Sequence, residues 1–201
     1  MRTVVVTANE HEGFASLLEA ARAGAGWALA ALWRSHQPRL LAYLRAKEPA
    51  VAEDLAQETW IAVARGLAGF DGDEGGFRAW LFTIARRRLL DHRRRRARRP
   101  EMRLDATVLD RSPALTDPAT DALDAVSTDA AIARIAGLPP DQAEVLLLRV
   151  VADLDVGTVA RLLGKQPGAV RVLAHRGLRR LACELAQEDE PVAESTPAVM
   201  R

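Results

Sequence analysis

A single cysteine, Cys183, stands among 201 residues. No internal disulfide and no cysteine-cluster metal site can form, and Cys183 is expected to pack as a small apolar residue. The four histidines, His11, His36, His92 and His175, are scattered without metal-ligand spacing. No metal and no other cofactor is therefore expected. No stretch approaches the roughly 18 consecutive apolar residues of a membrane span. The amino terminus, MRTVVVTANEHEG, lacks the long apolar core and small-residue cleavage site of a secretory signal, which makes a cytoplasmic location the expectation. From Phe14 to about Arg98 no alternating strand pattern appears. Lysine is nearly missing too, at two residues against 26 arginines, which with abundant alanine is the mark of a GC-rich coding sequence.

What is present is apolar mass and arginine. At 49% hydrophobic residues the chain can build one or two domains with real cores. Its formal net charge is only +1, yet nine of the fourteen residues from Arg86 to Arg99 are arginine. Acidic residues must be concentrated elsewhere, so the charge map matters more than its sum.

Helical periodicity organises the first half, about 10–98. Phe14, Leu17, Leu18 and Ala21 form a stripe that stops at Gly24 and Gly26. A second helix is expected from Trp27 to Lys47, bent at Pro38, and a third from Ala50 to Leu67, with Pro49 suiting its start. The loop FDGDEGG, Phe70 to Gly76, precedes a fourth helix, FRAWLFTIARRRLLDHRRRRARR. The stretch 99–128 then carries Pro100, Pro113 and Pro118, and seven acids lie between Glu101 and Asp129 against Arg103 and Arg111, so it reads as a flexible linker. A second helical domain is expected over 129–187 and a disordered tail over 188–201. The fold class is thus all-α: two small helical domains joined by an acidic linker.

Three faces carry chemistry. On the third helix Ala52, Leu55, Ala56, Thr59, Trp60, Val63 and Leu67 mark the core side, leaving Asp54, Gln57, Glu58, Ile61 and Arg65 outside. An isoleucine among carboxylates and an amide suits a small protein-docking patch, though single exposed apolar residues are common. No nucleophile or metal partner accompanies Asp54 and Glu58, so no catalytic role is expected. The arginine-tailed helix joins aromatic rings to guanidinium groups, whose planar fork matches phosphate, and a nucleic acid is the expected partner. Asp91, the one acid inside it, is placed to pair with Arg87 or Arg95. In the second half DVGTVARLLGKQPGAVRVLAHRGLRRLACEL gives a short helix from Asp155, a break at Gly164 and a longer helix opened by Pro167, which is helix-turn-helix patterning. Val170, Leu173, Ala174, Gly177, Leu178, Leu181 and Leu185 are expected inward on that helix, with Arg171, His175 and Arg179 outward beside Arg176 and Arg180.

Together, AEDLAQETW (Ala52 to Trp60), FRAWLFTIARRRLLDHRRR (Phe77 to Arg95) and LPPDQAEVLLLRVVADLDVGTVARLLGKQPGAVRVLAHRGLRRL (Leu138 to Leu181) resemble, in sequence and in order, the extracytoplasmic-function sigma factors of bacteria. The resemblance implies a specificity subunit, not an enzyme, with core RNA polymerase and promoter DNA as partners and an anti-sigma protein as a further one. It places polymerase docking on Asp54, Gln57, Glu58 and Ile61. Capture of the unpaired minus-ten element falls to Phe70, Asp71, Trp80, Arg86 and Arg87, and minus-thirty-five contact to Lys165, Gln166, Arg171, His175, Arg176 and Arg179. Three positions depart from the family pattern. Arg87 stands where asparagine is common, Val172 and Leu173 replace polar positions of the recognition helix, and Thr158 replaces a glutamate. A conventional helix-turn-helix regulator is the alternative reading, and it leaves the first domain without a role.

Overall fold

The computed structural model describes residues 5–98 and 121–188, with side chains over 13–98 and 128–187. Most of the stretch read as a linker, and all but the first residue of the expected tail, lie outside the described residues.

In the first half α1 (Val5–Arg22) turns through Gly24, whose φ of 83° suits a residue without a Cβ. The chain then enters α2 (Gly26–Lys47), which runs on through Pro38. A short 3₁₀ turn, Pro49–Val51, leads into α3 (Ala52–Gly66). The expected core stripe of α3 is realised: Ala52, Leu55, Ala56, Thr59, Val63 and then Leu67 are buried. Thr59 keeps its hydroxyl satisfied inside by donating to the Leu55 carbonyl at 2.7 Å. Trp60 is only half-buried, and its indole N–H donates to Gln37 Oε1 at 2.7 Å. The helix α4 (Glu74–Ala97) starts inside the stretch read as a glycine loop, because Asp73 caps it by accepting from the Gly76 N–H at 2.7 Å. Leu32, Leu40, Tyr43, Leu44, Leu55, Phe77, Leu81, Phe82 and Leu89 fill the space between these helices.

The second half begins with α5 (Asp121–Gly137), which starts within the stretch read as linker. Next comes α6 (Pro140–Leu146), running into a wide π turn over Leu147–Val151. Asp155 caps α7 (Val156–Leu163), and Gly164 at φ 64° turns the chain toward α8 (Pro167–Glu188). The core here is Ile135, Leu138, Val145, Leu146, Leu147, Leu148, Leu154, Val159 and Val170. At Gly177 a Cβ would meet Leu146 Cδ1 at 2.8 Å, so a larger residue there would push the Leu146 side chain aside in the α6–α8 contact.

Two expectations fail on α8. Leu178 and Leu185 are exposed, not inward, and Cys183 is exposed rather than packed. The reason is length: α6 and α7 span 7 and 8 residues and cannot cover a helix of 22. The halves touch one another where α5 and the π turn pack on α2.

Candidate polymerase and nucleic-acid interfaces

Because α3 buries one side, it presents the other intact. Asp54, Gln57 and Ile61 are exposed and Glu58 is half-exposed, with only a long 4.0 Å pair to Arg88. The patch is wider than the sequence suggested. Trp33 and Gln37 of α2 join Glu53, Gln57, Trp60, Ile61 and Ala64 of α3 in one shallow groove, and Trp33 is 46% exposed. The contribution of α2 was missed since no one-helix pattern reveals a groove between two helices.

At the start of α4 an aromatic cluster forms. Phe70 and Trp80 stack with centroids 5.0 Å apart and planes 15° apart, and Phe77 meets both edge-on. Both stacked rings are half-buried, so each gives one face to the other. Gly66 makes room for this, since a Cβ there would lie 2.8 Å from Trp80 Cζ2. His36 packs edge-on against Phe77, and burial pushes its imidazole below the ordinary histidine value. Asp71 lies exposed in the preceding loop.

The arginines of α4 are mostly occupied. Arg93 and Arg96 share Glu48, at 2.8 and 3.3 Å, and Arg78 takes Glu74 at 3.0 Å. Asp91 pairs with Arg94, three residues on, at 3.6 Å; neither Arg87 nor Arg95 is its partner, which corrects the expected i±4 pair. Arg86, named for minus-ten contact, is held by Glu144 of the other half at 3.2 Å. Arg87 is exposed and has no ion pair among the described residues. Beside it, Trp80, Thr83, Arg86, Arg87 and Arg94 face Thr158, Arg161 and Leu162 of α7 across a cleft of about 610 Å³.

On α8 the reverse holds. Arg171, His175, Arg176, Arg179 and Arg180 are all exposed, and none forms an ion pair among the described residues. Gln166 is exposed as well, whereas Lys165 is tied to Asp141 at 3.0 Å. The start of the preceding helix, α7, is braced by Asp155, which accepts from the Thr158 N–H at 3.0 Å and from its hydroxyl at 2.5 Å. Those hydrogen bonds hold the Asp155 carboxyl below its ordinary value. Thr158 also accepts from Arg161 at 2.9 Å, so the position that departs from the family pattern is fully bonded.

Among the described residues no helix is long and apolar enough to cross a membrane, and no group of three or more His, Cys, Asp or Glu side chains is placed to hold a metal ion.

Comparison with known proteins agrees with this layout. Residues 32–99 match the Sigma-70 region 2 family and residues 128–181 match Sigma-70, region 4. The chain is 34% identical over 171 residues to the ECF RNA polymerase sigma factor BldN of Streptomyces coelicolor, an alignment covering 83% of this chain and 63% of that protein. It is 39% identical over 135 residues to the ECF RNA polymerase sigma factor ShbA of Streptomyces griseus, covering 64% and 69%. The sigma factor RpoE of Bartonella quintana, solved in complex with the anti-sigma factor NepR, shares the fold at a TM-score of 0.55 and 24% identity, over 80% of this chain and 97% of that one. With an α3 face open beside a cationic helix-turn-helix, and with both matched families in this order, the chain belongs to the ECF sigma factors, regulatory subunits that direct RNA polymerase to promoters.

Proposed function

We propose that the solvent face of α3 docks on core RNA polymerase through Asp54, Gln57, Glu58 and Ile61, with Trp33 and Trp60 supplying the apolar floor. A central apolar anchor ringed by charges is the arrangement that concentrates binding energy in protein interfaces. In this reading α8 lies in the minus-thirty-five major groove. Arg171 and His175 reach base edges, while Arg176, Arg179 and Arg180, with Lys165 and Gln166 at the turn, reach phosphates. The minus-ten strand takes Arg86, Arg87, Asp71 and the outer faces of Phe70 and Trp80, since a melted strand needs cations for its backbone and rings for its bases. Arg87, a guanidinium in place of an amide, contacts phosphate or stacks on a base.

The observation that carries the reading is the pairing of two differently built exposed faces in one chain: an acidic–apolar face on α3 and an arginine stripe on α8 that has no ion pair among the described residues. A conventional DNA-binding regulator needs only the second. The protein works in the cytoplasm, without catalysis of its own, and because the RpoE relative was solved with an anti-sigma factor, a protein antagonist is a proposed partner here too.

The test is a pull-down with core polymerase, followed by in vitro transcription with mapped start sites. Asp54→Arg with Glu58→Arg should abolish polymerase binding while circular dichroism remains that of the parent, because both side chains lie off the core. Normal binding by this double variant removes α3 as the docking face. Promoter DNA binding without any polymerase binding by the parent returns the protein to the conventional regulators.

A further inference from the structure

Glu144 belongs to α6, yet every partner its carboxylate has among the described residues comes from the first half. Tyr43 donates its hydroxyl to Oε1 at 3.0 Å, Arg86 donates from Nε to the same oxygen at 3.2 Å, and Lys47 pairs with Oε2. The site is enclosed: the side chains of Lys47 and Glu144 are 10% and 14% exposed, and Tyr43 is fully buried. A second link between the halves joins Arg78 to Asp153 at 3.5 Å, with Asp153 holding a positive φ of 51°. Buried ion pairs of this kind add little net stability, because desolvation offsets attraction, but removing one partner leaves the other charge buried without compensation. Beside these pairs α5 and the π turn pack on α2, so the charges act together with a helix contact, and halves joined in this way move relative to one another unless the interface is large and hydrophobic.

This placement has a cost for DNA. It takes Arg86 away from any strand and sets α7 across the cleft from Trp80, Arg87 and Arg94. We propose that Glu144 is the latch of a closed state in which the helix-turn-helix half covers α4, and that the latch must open before α4 accepts a DNA strand. The covering of α4 as a DNA face rests on the function proposed above; the latch itself rests only on the Glu144 contacts.

The full-length chain supplies one dye site in its sole cysteine, the exposed Cys183, and Glu19→Cys on the exposed side of α1 supplies the other. Single-molecule energy transfer on the free protein should show one narrow population. Glu144→Gln, which keeps the shape and loses the charge, and Lys47→Gln, which removes the partner, should each move much of it to a broad, more distant population. A short mixed-sequence DNA single strand should then bind about tenfold more tightly, because the competent state is no longer a minority. An unchanged narrow population in both variants overturns the latch, whatever happens to DNA binding. Opening without any gain in DNA binding sustains the latch and overturns the assignment of α4 as the covered DNA face.

Discussion

Both α4 and α8 are arginine-rich, but they use arginine in opposite ways. On α4, Arg78, Arg86, Arg88, Arg93, Arg94 and Arg96 all have carboxylate partners. On α8, Arg171, Arg176, Arg179 and Arg180 have none among the described residues. The longer cationic run therefore offers less free charge than the sparser one. A count of basic residues measures capacity for phosphate only after internal pairs are subtracted, because a guanidinium held by a carboxylate must break that pair before releasing a counterion from DNA.

The comparison is broken most directly at its α8 end. Arg171→Ala with Arg176→Ala should weaken duplex promoter binding about 100-fold, from two contacts at roughly 1–3 kcal/mol each, and make the log–log salt slope shallower by about 1, from the phosphate contact of Arg176. Fluorescence anisotropy across a salt series measures both. If affinity falls equally for specific and random duplex, Arg171 grips phosphate and does not read bases.

Apolar residues sharpen the same contrast. Trp80→Ala on α4 should lower stability by about 2 kcal/mol, below the roughly 3–5 kcal/mol of a fully buried aromatic, since Trp80 is half-buried against Phe70. Leu178→Ala on α8 should change it by less than about 0.5 kcal/mol, because that side chain is exposed. Urea denaturation of both variants is sufficient; equal losses would show that α8 is covered in solution.

A subtler variant moves α4 toward the α8 condition. Glu48→Gln should remove about 1 kcal/mol or less, since Arg93 and Arg96 are largely exposed, while freeing two cations. Non-specific DNA affinity should rise about threefold at low salt. An unchanged affinity in the same anisotropy assay would mean that the Glu48 pairs do not hold Arg93 and Arg96 back.

The smallest effect concerns acid. Asp155 is held below its ordinary value by the Thr158 hydroxyl and N–H. Its stabilising contribution is complete above the ordinary carboxylate range and is lost as pH falls through the depressed folded value. Asp155→Asn keeps a capping side chain and should flatten this acid limb by a few tenths of a kcal/mol, because the group is exposed. Thermal melts across the acidic range, compared with the parent, detect it; identical acid limbs would remove the role.

What the sequence revealed follows from the reach of each interaction. The core face of α3 was legible because helical periodicity is local, and the helix-turn-helix because Gly164 and Pro167 mark its turn directly. The start of α4 was obscured by glycines, although Asp73 three residues before Gly76 was the available capping signal. Leu178 and Leu185 fit the inward stripe perfectly well, but whether a stripe is covered depends on the lengths of other helices. Of the candidate site residues, Arg87 and the α8 arginines have no ion pair among the described residues, while Arg86 and Lys165 are engaged by Glu144 and Asp141. Nothing local announces those pairs: Tyr43 and Glu144 meet across 101 positions, and Arg86 and Glu144 across 58.

Tyr43 is the chain's only tyrosine. Burial first, and then the neighbouring Glu144 carboxylate, raise its phenol well above the usual value near 10. Ultraviolet absorbance in alkali thus has one phenol to watch, without any label. While Tyr43 stays buried that phenol is silent through the range in which a free tyrosine ionises, and its appearance as phenolate marks the loss of that enclosure. A residue that joins Glu144 across the two halves thus reports its own enclosure.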